Sequence, residues 1–183
     1  MFAPYAIINF MIEKLFYANR ADFPISKTAI EKILSESYGI DSPVLSYTKN
    51  GKPFLPGGEI HFSVTHTDEM LFLAFSNEKI GIDAEKITRK VDCAPILKRL
   101  HPTICKKIDT NEDFLQIWTV LESAIKYLGG TLACDLKKFS FHNNRLLYDN
   151  EPFPVHVYTQ VFQNHFVSVC ANSFESTCFT SIL

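Results

Sequence analysis

The segment MLFLAFSNEKIGIDAEK, residues 70–86, decides how the rest of the chain is read. Residues 70–75 are a short, continuous apolar run, residues 80–85 mix aliphatic and acidic positions, and the polar Ser76-Asn77-Glu78-Lys79 separates them. Runs of this length bounded by turn residues read as strands. With residues 61–65 and the turn Thr67-Asp68-Glu69 they predict a three-stranded meander. Alternate side chains of a strand share a face, so Asp83 and Glu85 point one way while Ile82 and Ala84 point the other.

Upstream, residues 5–10 are dense in aliphatic and aromatic side chains and predict a first strand. Ser26 reads as the N-cap of a helix with apolar positions Ala29, Ile30, Ile33 and Leu34, ended by Gly39. Asn50-Gly51 signals a hairpin turn between residues 44–47 and 54–55. Downstream, residues 92–100 and 103–108 read as short helices split by His101-Pro102. Asn111 then caps a longer helix in which Leu115, Trp118, Leu121, Ile125 and Leu128 recur at three and four, closed by Gly129-Gly130. Strands follow over residues 139–142, 145–148, 155–162 and 166–171, with turns at Asn143-Asn144 and Gln163-Asn164. The class is α+β, and the similar order of elements in residues 1–80 and 81–183 suggests two similar α+β halves related by a pseudo-twofold.

Composition narrows the function classes. The chain has 183 residues, 46% hydrophobic and 21% charged, with a formal net charge of −2, so it supplies no strong field for nucleic acid or an anionic membrane. Its five cysteines include no C-x-x-C pair, which argues against a disulfide framework or structural zinc site and suits a reducing cytoplasm. MFAPYAIINFMIEK at the N-terminus lacks the basic start of a signal peptide, and no apolar run approaches the roughly 20 residues that span a bilayer. The reading is a soluble, cytoplasmic protein without nucleic-acid or membrane partners.

Four places could carry chemistry. Asp83 and Glu85, on one face of a strand, would repel each other unless a cation such as Mg²⁺ lay between them; as a solvated edge they would be two ordinary acids. Glu122 follows Trp118 by four residues and precedes Lys126 by four, placing the three on one helical face, as a metal ligand or base beside a phosphate contact, or as a surface ion pair. His66 closes a strand at a polar turn. Lys52 follows the Asn-Gly turn. Each of the last two is an anion contact if it faces a cleft and a surface residue otherwise. P-loop, dinucleotide-binding and α/β-hydrolase signatures are lacking.

In order, Gly51-Lys52-Pro53, Phe62-Ser63-Val64-Thr65-His66, Gly81-Ile82-Asp83-Ala84-Glu85 and Trp118-x-x-x-Glu122-Ser123-x-x-Lys126 resemble the 4′-phosphopantetheinyl transferases of the surfactin-synthetase-activating (Sfp) type. The family patterns are G-K-P, F-N-x-S-H-S, G-I-D-x-E and W-x-x-K-E-S-x-x-K. The resemblance implies two α+β halves with coenzyme A in the cleft between them, and a monomer that forms this cleft internally. The implied activity transfers the phosphopantetheine arm of coenzyme A to a serine of an acyl or peptidyl carrier protein, releasing adenosine 3′,5′-bisphosphate. It assigns Mg²⁺ to Asp83, Glu85 and Glu122, makes Glu122 the base, and gives coenzyme A contacts to Lys52, Thr65, His66 and Lys126, with Lys27 near the 3′-phosphate. Leu121 replaces a family lysine, Ser63 and Thr65 replace Asn and Ser, and the chain is short for the family, mainly at its N-terminus. The alternatives are a homologue that binds coenzyme A or a carrier protein without transfer, and an unrelated Mg²⁺-dependent nucleotide hydrolase.

Overall fold

Two sheets packed face to face between two helices make up most of the computed structural model, which describes residues 14–172 and 178–182. The chain runs β1 (Lys14–Asn19), α1 (Ser26–Tyr38), β2 (Ser46–Tyr47), β3 (Pro53–Phe54), β4 (His61–His66), β5 (Met70–Ser76) and β6 (Gly81–Lys86). Short helices α2 (Ala94–Leu97) and α3 (Pro102–Cys105) precede the long α4 (Asn111–Leu128) and α5 (Leu132–Asp135). Strands β7 (Phe139–His142), β8 (Arg145–Tyr148), β9 (Glu151–Pro152), β10 (His156–Phe162), β11 (His165–Ala171) and β12 (Phe179–Ser181) complete the order. The class is mixed α and β, as expected.

The first sheet has the order β12-β1-β5-β4, and the second β10-β11-β6. Strands β7, β8 and β9 form a separate antiparallel ribbon, and β2 and β3 a small hairpin. Strand periodicity explains the layers. Leu71, Leu73 and Phe75 of β5 face the buried stripe of α1, Ala29, Ile30, Ile33 and Leu34. Phe72 and Ala74, on the other face, meet Ile82 and Ala84 of β6 and Val167, Val169 and Ala171 of β11. The far face of β11 presents Ser168 and Cys170 toward α4, where Thr119 Oγ1 lies 2.8 Å from Ser168 Oγ. Strand β5 is thus covered on both faces, which explains its unbroken apolar run.

Several expectations are corrected. The meander is a hairpin of β4 and β5 only; β6 leaves for the second sheet and pairs with β11, because Ile82 and Ala84 pack against β5 face-on. Ser26 is the first helical residue, and the N-cap position is Ile25, without a side-chain cap. Thr110, not Asn111, caps α4: its hydroxyl accepts from Asp113 N–H while Asp113 reaches back, a capping box. Asn111 instead ties down residues 89–91, its amide donating to Arg89 O at 2.8 Å. The expected strand at residues 5–10 lies outside the described residues. Asn143-Asn144 and Gln163-Asn164 turn as expected, all four at positive φ, in two-residue hairpins. Cys93, Cys105, Cys134 and Cys170 are free thiols, and among the described residues no helix is long and apolar enough to cross a membrane.

Candidate functional site

The junction of β6 and α4 builds the site. With Ile82 and Ala84 buried between the sheets, the intervening Asp83 and Glu85 are directed to the opposite side of β6, where both are nearly enclosed. Gly81 brings the helix close: a β-carbon there would run into Ser123 O and Tyr127 N of α4. This approach, closer than any side chain allows, carries Glu122 and Lys126, one helical turn apart, alongside the strand. Lys126 Nζ lies 2.6 Å from Asp83 Oδ1. The Thr65 hydroxyl donates to the same oxygen at 2.9 Å. The Trp118 side chain donates to Glu122 from one turn earlier.

Charge is unevenly balanced here. Burial, reinforced by the negative charges of Asp83 and Glu85, pushes the Glu122 carboxyl up to about 7, against the pull of Lys126. Burial also raises Glu85, although Arg89 reaches back one turn to ion-pair with it. Among the described residues no three His, Cys, Asp or Glu side chains stand as a group that could hold a metal ion. The cations of Lys126 and Arg89 occupy the oxygens of Asp83 and Glu85 instead.

Two cavities flank the junction. One, of 490 Å³, opens beside His66, Glu85, Lys86 and Arg89. The other, of 280 Å³, lies beside Gly51, Lys52, Ser63, Lys126 and Gly130. His66 is exposed at the mouth of the first, where a surface anion contact would stand. Lys52 is half-buried and donates to Lys126 O at 2.6 Å and to Ile80 O at 3.3 Å, so it clamps the C-terminal end of α4 to the start of β6. Burial and the charge of Lys126 lower it to about 8. Thr65 is a partner of Asp83 rather than of a cavity. Lys27 lies apart from the cluster, ion-paired with Glu31 at 3.5 Å on the exposed face of α1, and lines neither cavity.

The structure gives roles to residues that sequence reasoning left open or missed. Ser63 Oγ accepts from Ile82 N–H at 3.1 Å, so the hydroxyls of β4 serve the edge of β6 that β11 does not pair. Leu121 is fully buried, in the core cluster that also holds Ile104 of α3 and Phe139 of β7, so where the family has a lysine this chain has a core residue. Arg89 was missed, although its spacing of four from Glu85 was visible. His165 was also missed. Its Nδ1–H donates to Gln163 O at 2.6 Å, leaving Nε2 to accept from the Thr67 hydroxyl at 3.1 Å beside the larger cavity.

A family model described as the 4′-phosphopantetheinyl transferase superfamily matches residues 79–171, which include β6, α4 and β11. The chain is 28% identical over 160 residues to 4′-phosphopantetheinyl transferase gsp of Aneurinibacillus migulanus, covering 80% of this chain and 67% of that protein. It is 32% identical over 126 residues to a 4′-phosphopantetheinyl transferase of Bacillus subtilis, covering 63% of this chain and 55% of the relative. For 4′-phosphopantetheinyl transferase Sfp of Bacillus subtilis (strain 168) the identity is 30% over 121 residues, 61% of this chain and 53% of the relative. The matches thus span two thirds of the first relative and little more than half of the other two.

Proposed function

Because the chain belongs to the 4′-phosphopantetheinyl transferase superfamily, we propose that it moves the phosphopantetheine arm of coenzyme A onto a serine of an acyl or peptidyl carrier protein. Adenosine 3′,5′-bisphosphate is the other product. The observation that supports this best is Glu122 of α4 lying close enough to Asp83 and Glu85 of β6 that burial and their charges hold it up to about 7.

Their mutual repulsion and all-oxygen donor chemistry suit a hard divalent cation such as Mg²⁺, although the three are not gathered as a metal-holding group here. Asp83, Glu85 and Glu122 would hold it once Lys126 and Arg89 give up the first two. It would supply neutralisation of the charge that develops as the phosphoanhydride bond breaks. Glu122, directly or through a water, takes the proton of the serine hydroxyl as that oxygen bonds to the phosphorus carrying the pantetheine arm. A base is most effective with a pKa near the working pH, and in the metal-free chain burial lifts Glu122 to about 7. The bond from that phosphorus to the bridging oxygen breaks, and its electron pair leaves with adenosine bisphosphate. Arg89, on the larger cavity and released from Glu85, and Lys126, released from Asp83, supply positive charge to the phosphates, and His66 at the mouth of that cavity contacts them. Thr65 keeps Asp83 oriented, and Lys52 holds α4 against β6.

The halves are residues 1–80 and 81–183, each a sheet backed by a helix, related by a pseudo-twofold and forming the cleft within one chain, as a monomer in the cytoplasm. β12 is the exception to a division by sequence, since it returns to the first sheet. The test is incubation with coenzyme A, Mg²⁺ and several apo carrier proteins, followed by mass measurement of the carriers. A gain equal to one phosphopantetheine on the serine supports the reading. Tight coenzyme A binding with no gain on any carrier indicates a homologue that binds without transfer.

A further inference from the structure

His66 stands at the exposed end of β4, so its placement depends on the turn that follows, Thr67 to Met70. The turn closes on itself: Thr67 N–H donates to Met70 O at 2.8 Å, and the Thr67 hydroxyl accepts from Met70 N–H at 3.1 Å and Glu69 N–H at 3.4 Å. Both lone pairs of that hydroxyl are then engaged, and its single proton is left for Nε2 of His165. His165 can accept it only as the neutral ring protonated on Nδ1. The Gln163 carbonyl, 2.6 Å from Nδ1 and able only to accept, selects that tautomer, and burial holds the ring below the usual histidine pKa. Each polar atom of the pair thus has its partner and a fixed direction.

The bond joins the two sheets. Thr67 follows β4 of the first sheet, whereas His165 opens β11 of the second, in register with Lys86 and one residue before the partner of Glu85. The His165 ring is itself held, fully buried and edge-to-face with Phe72 at 5.4 Å between centroids. Glu69 of the same turn also reaches Lys86, but that ion pair lies at the surface and contributes little. A buried bond between two polar groups adds little net stability over an apolar pair of the same shape, so what it contributes here is one defined geometry. That geometry matters at the larger cavity, where His66 and Thr67 come from the first sheet, and Glu85 and Arg89 from β6 and the segment after it. We infer that His165 is a positioning residue: through the Thr67 hydroxyl it holds His66 in place at the mouth of this cavity. That His66 then meets the phosphates of coenzyme A rests on the transfer reaction proposed above; the tie between the sheets does not.

The test compares the full chain with His165→Leu, Thr67→Val, the two combined, and the conservative Thr67→Ser. Long-range proton–nitrogen NMR of the histidine rings should show His165 protonated on Nδ1. The His66 signals should shift in His165→Leu and in Thr67→Val and return in Thr67→Ser, which keeps the hydroxyl. Coenzyme A, titrated by calorimetry with Mg²⁺ present, should bind about 5- to 20-fold more weakly to His165→Leu and to Thr67→Val, and normally to Thr67→Ser. In a His66→Ala background, His165→Leu should cost no further affinity, because the side chain it acts through is gone. The combined variant strands neither partner of the bond, so it should melt close to the unaltered protein yet still show displaced His66 signals and weak coenzyme A binding. It also serves where His165→Leu alone does not fold. Displaced His66 signals in a chain that binds no coenzyme A even when unaltered support the positioning role and remove only the proposed reaction. Unmoved His66 signals in the variants overturn the inference, as does an equal loss of coenzyme A affinity with and without His66.

Discussion

Lys126 on α4 and Asp83 on β6 form an ion pair of 2.6 Å, with one partner nearly sealed from solvent and the other only part exposed. The lysine neutralises Asp83 and also opposes the rise in Glu122. It is therefore the internal counter-ion of the cluster. Lys126→Met should destabilise the metal-free chain by about 1–3 kcal/mol, because a buried carboxylate loses its cation. Saturating Mg²⁺ should recover most of this loss if the cation takes the lysine's place. Urea denaturation with and without Mg²⁺ measures both effects.

Glu122 predicts a pH signature. In the folded chain its carboxyl keeps a proton up to about 7, against an ordinary value of 4.5 in the unfolded chain. Between these limits the folded state binds more protons, so this group makes metal-free stability fall as pH rises. Glu122→Gln should therefore stabilise the metal-free protein by about 1–3 kcal/mol near pH 8 and leave it unchanged near pH 4. The same variant should lose transfer by about 10²- to 10⁴-fold, as expected for removal of a general base. Denaturation midpoints across pH, paired with the carrier mass assay, check the two halves of this prediction.

Gly81→Ala should be costly although one methyl is added. The β-carbon meets the backbone of α4, which cannot move aside as a side chain would. A loss of about 2 kcal/mol or more is expected, with weaker Mg²⁺ binding because Glu122 shifts away from Asp83 and Glu85. Thermal melts and Mg²⁺ titration by calorimetry read the outcomes separately.

Lys52 titrates in the opposite sense to Glu122. Burial lowers it to about 8 in the folded chain, against 10.5 unfolded, so between these values the unfolded state binds more protons and this residue makes stability rise with pH. In Lys52→Met that contribution disappears. Comparing stability slopes of the two proteins over this alkaline range checks it, since the other titrating groups cancel in the difference.

Local signals in the sequence were legible where chemistry is local. The apolar stripe of α1, the Gly39 and Gly129 stops and the Asn-Asn and Gln-Asn turns each depend on nearby residues, and the described structure has them. The partner of β6 was not legible. Three runs in succession suit a meander equally well, and only the packing of Ile82 and Ala84 onto β5 sends β6 to β11. Among the candidate residues, the i, i+4 spacing brought Trp118, Glu122 and Lys126 to one face, as read. Thr65 beside Asp83 and Lys52 on the end of α4 depend on contacts between distant segments, which spacing does not encode.

The pairing of β12 with β1 bears on how the protein is made. Leu15, Phe16 and Tyr17 lie in register with Phe179, Thr180 and Ser181, more than 160 positions later. A ribosome delivers the chain from the front, so β1 waits for its parallel neighbour until almost all of these residues have been synthesised. The first sheet can be completed only late, and a nascent chain stalled before residue 179 presents that flank of β1 to whatever else is folding nearby.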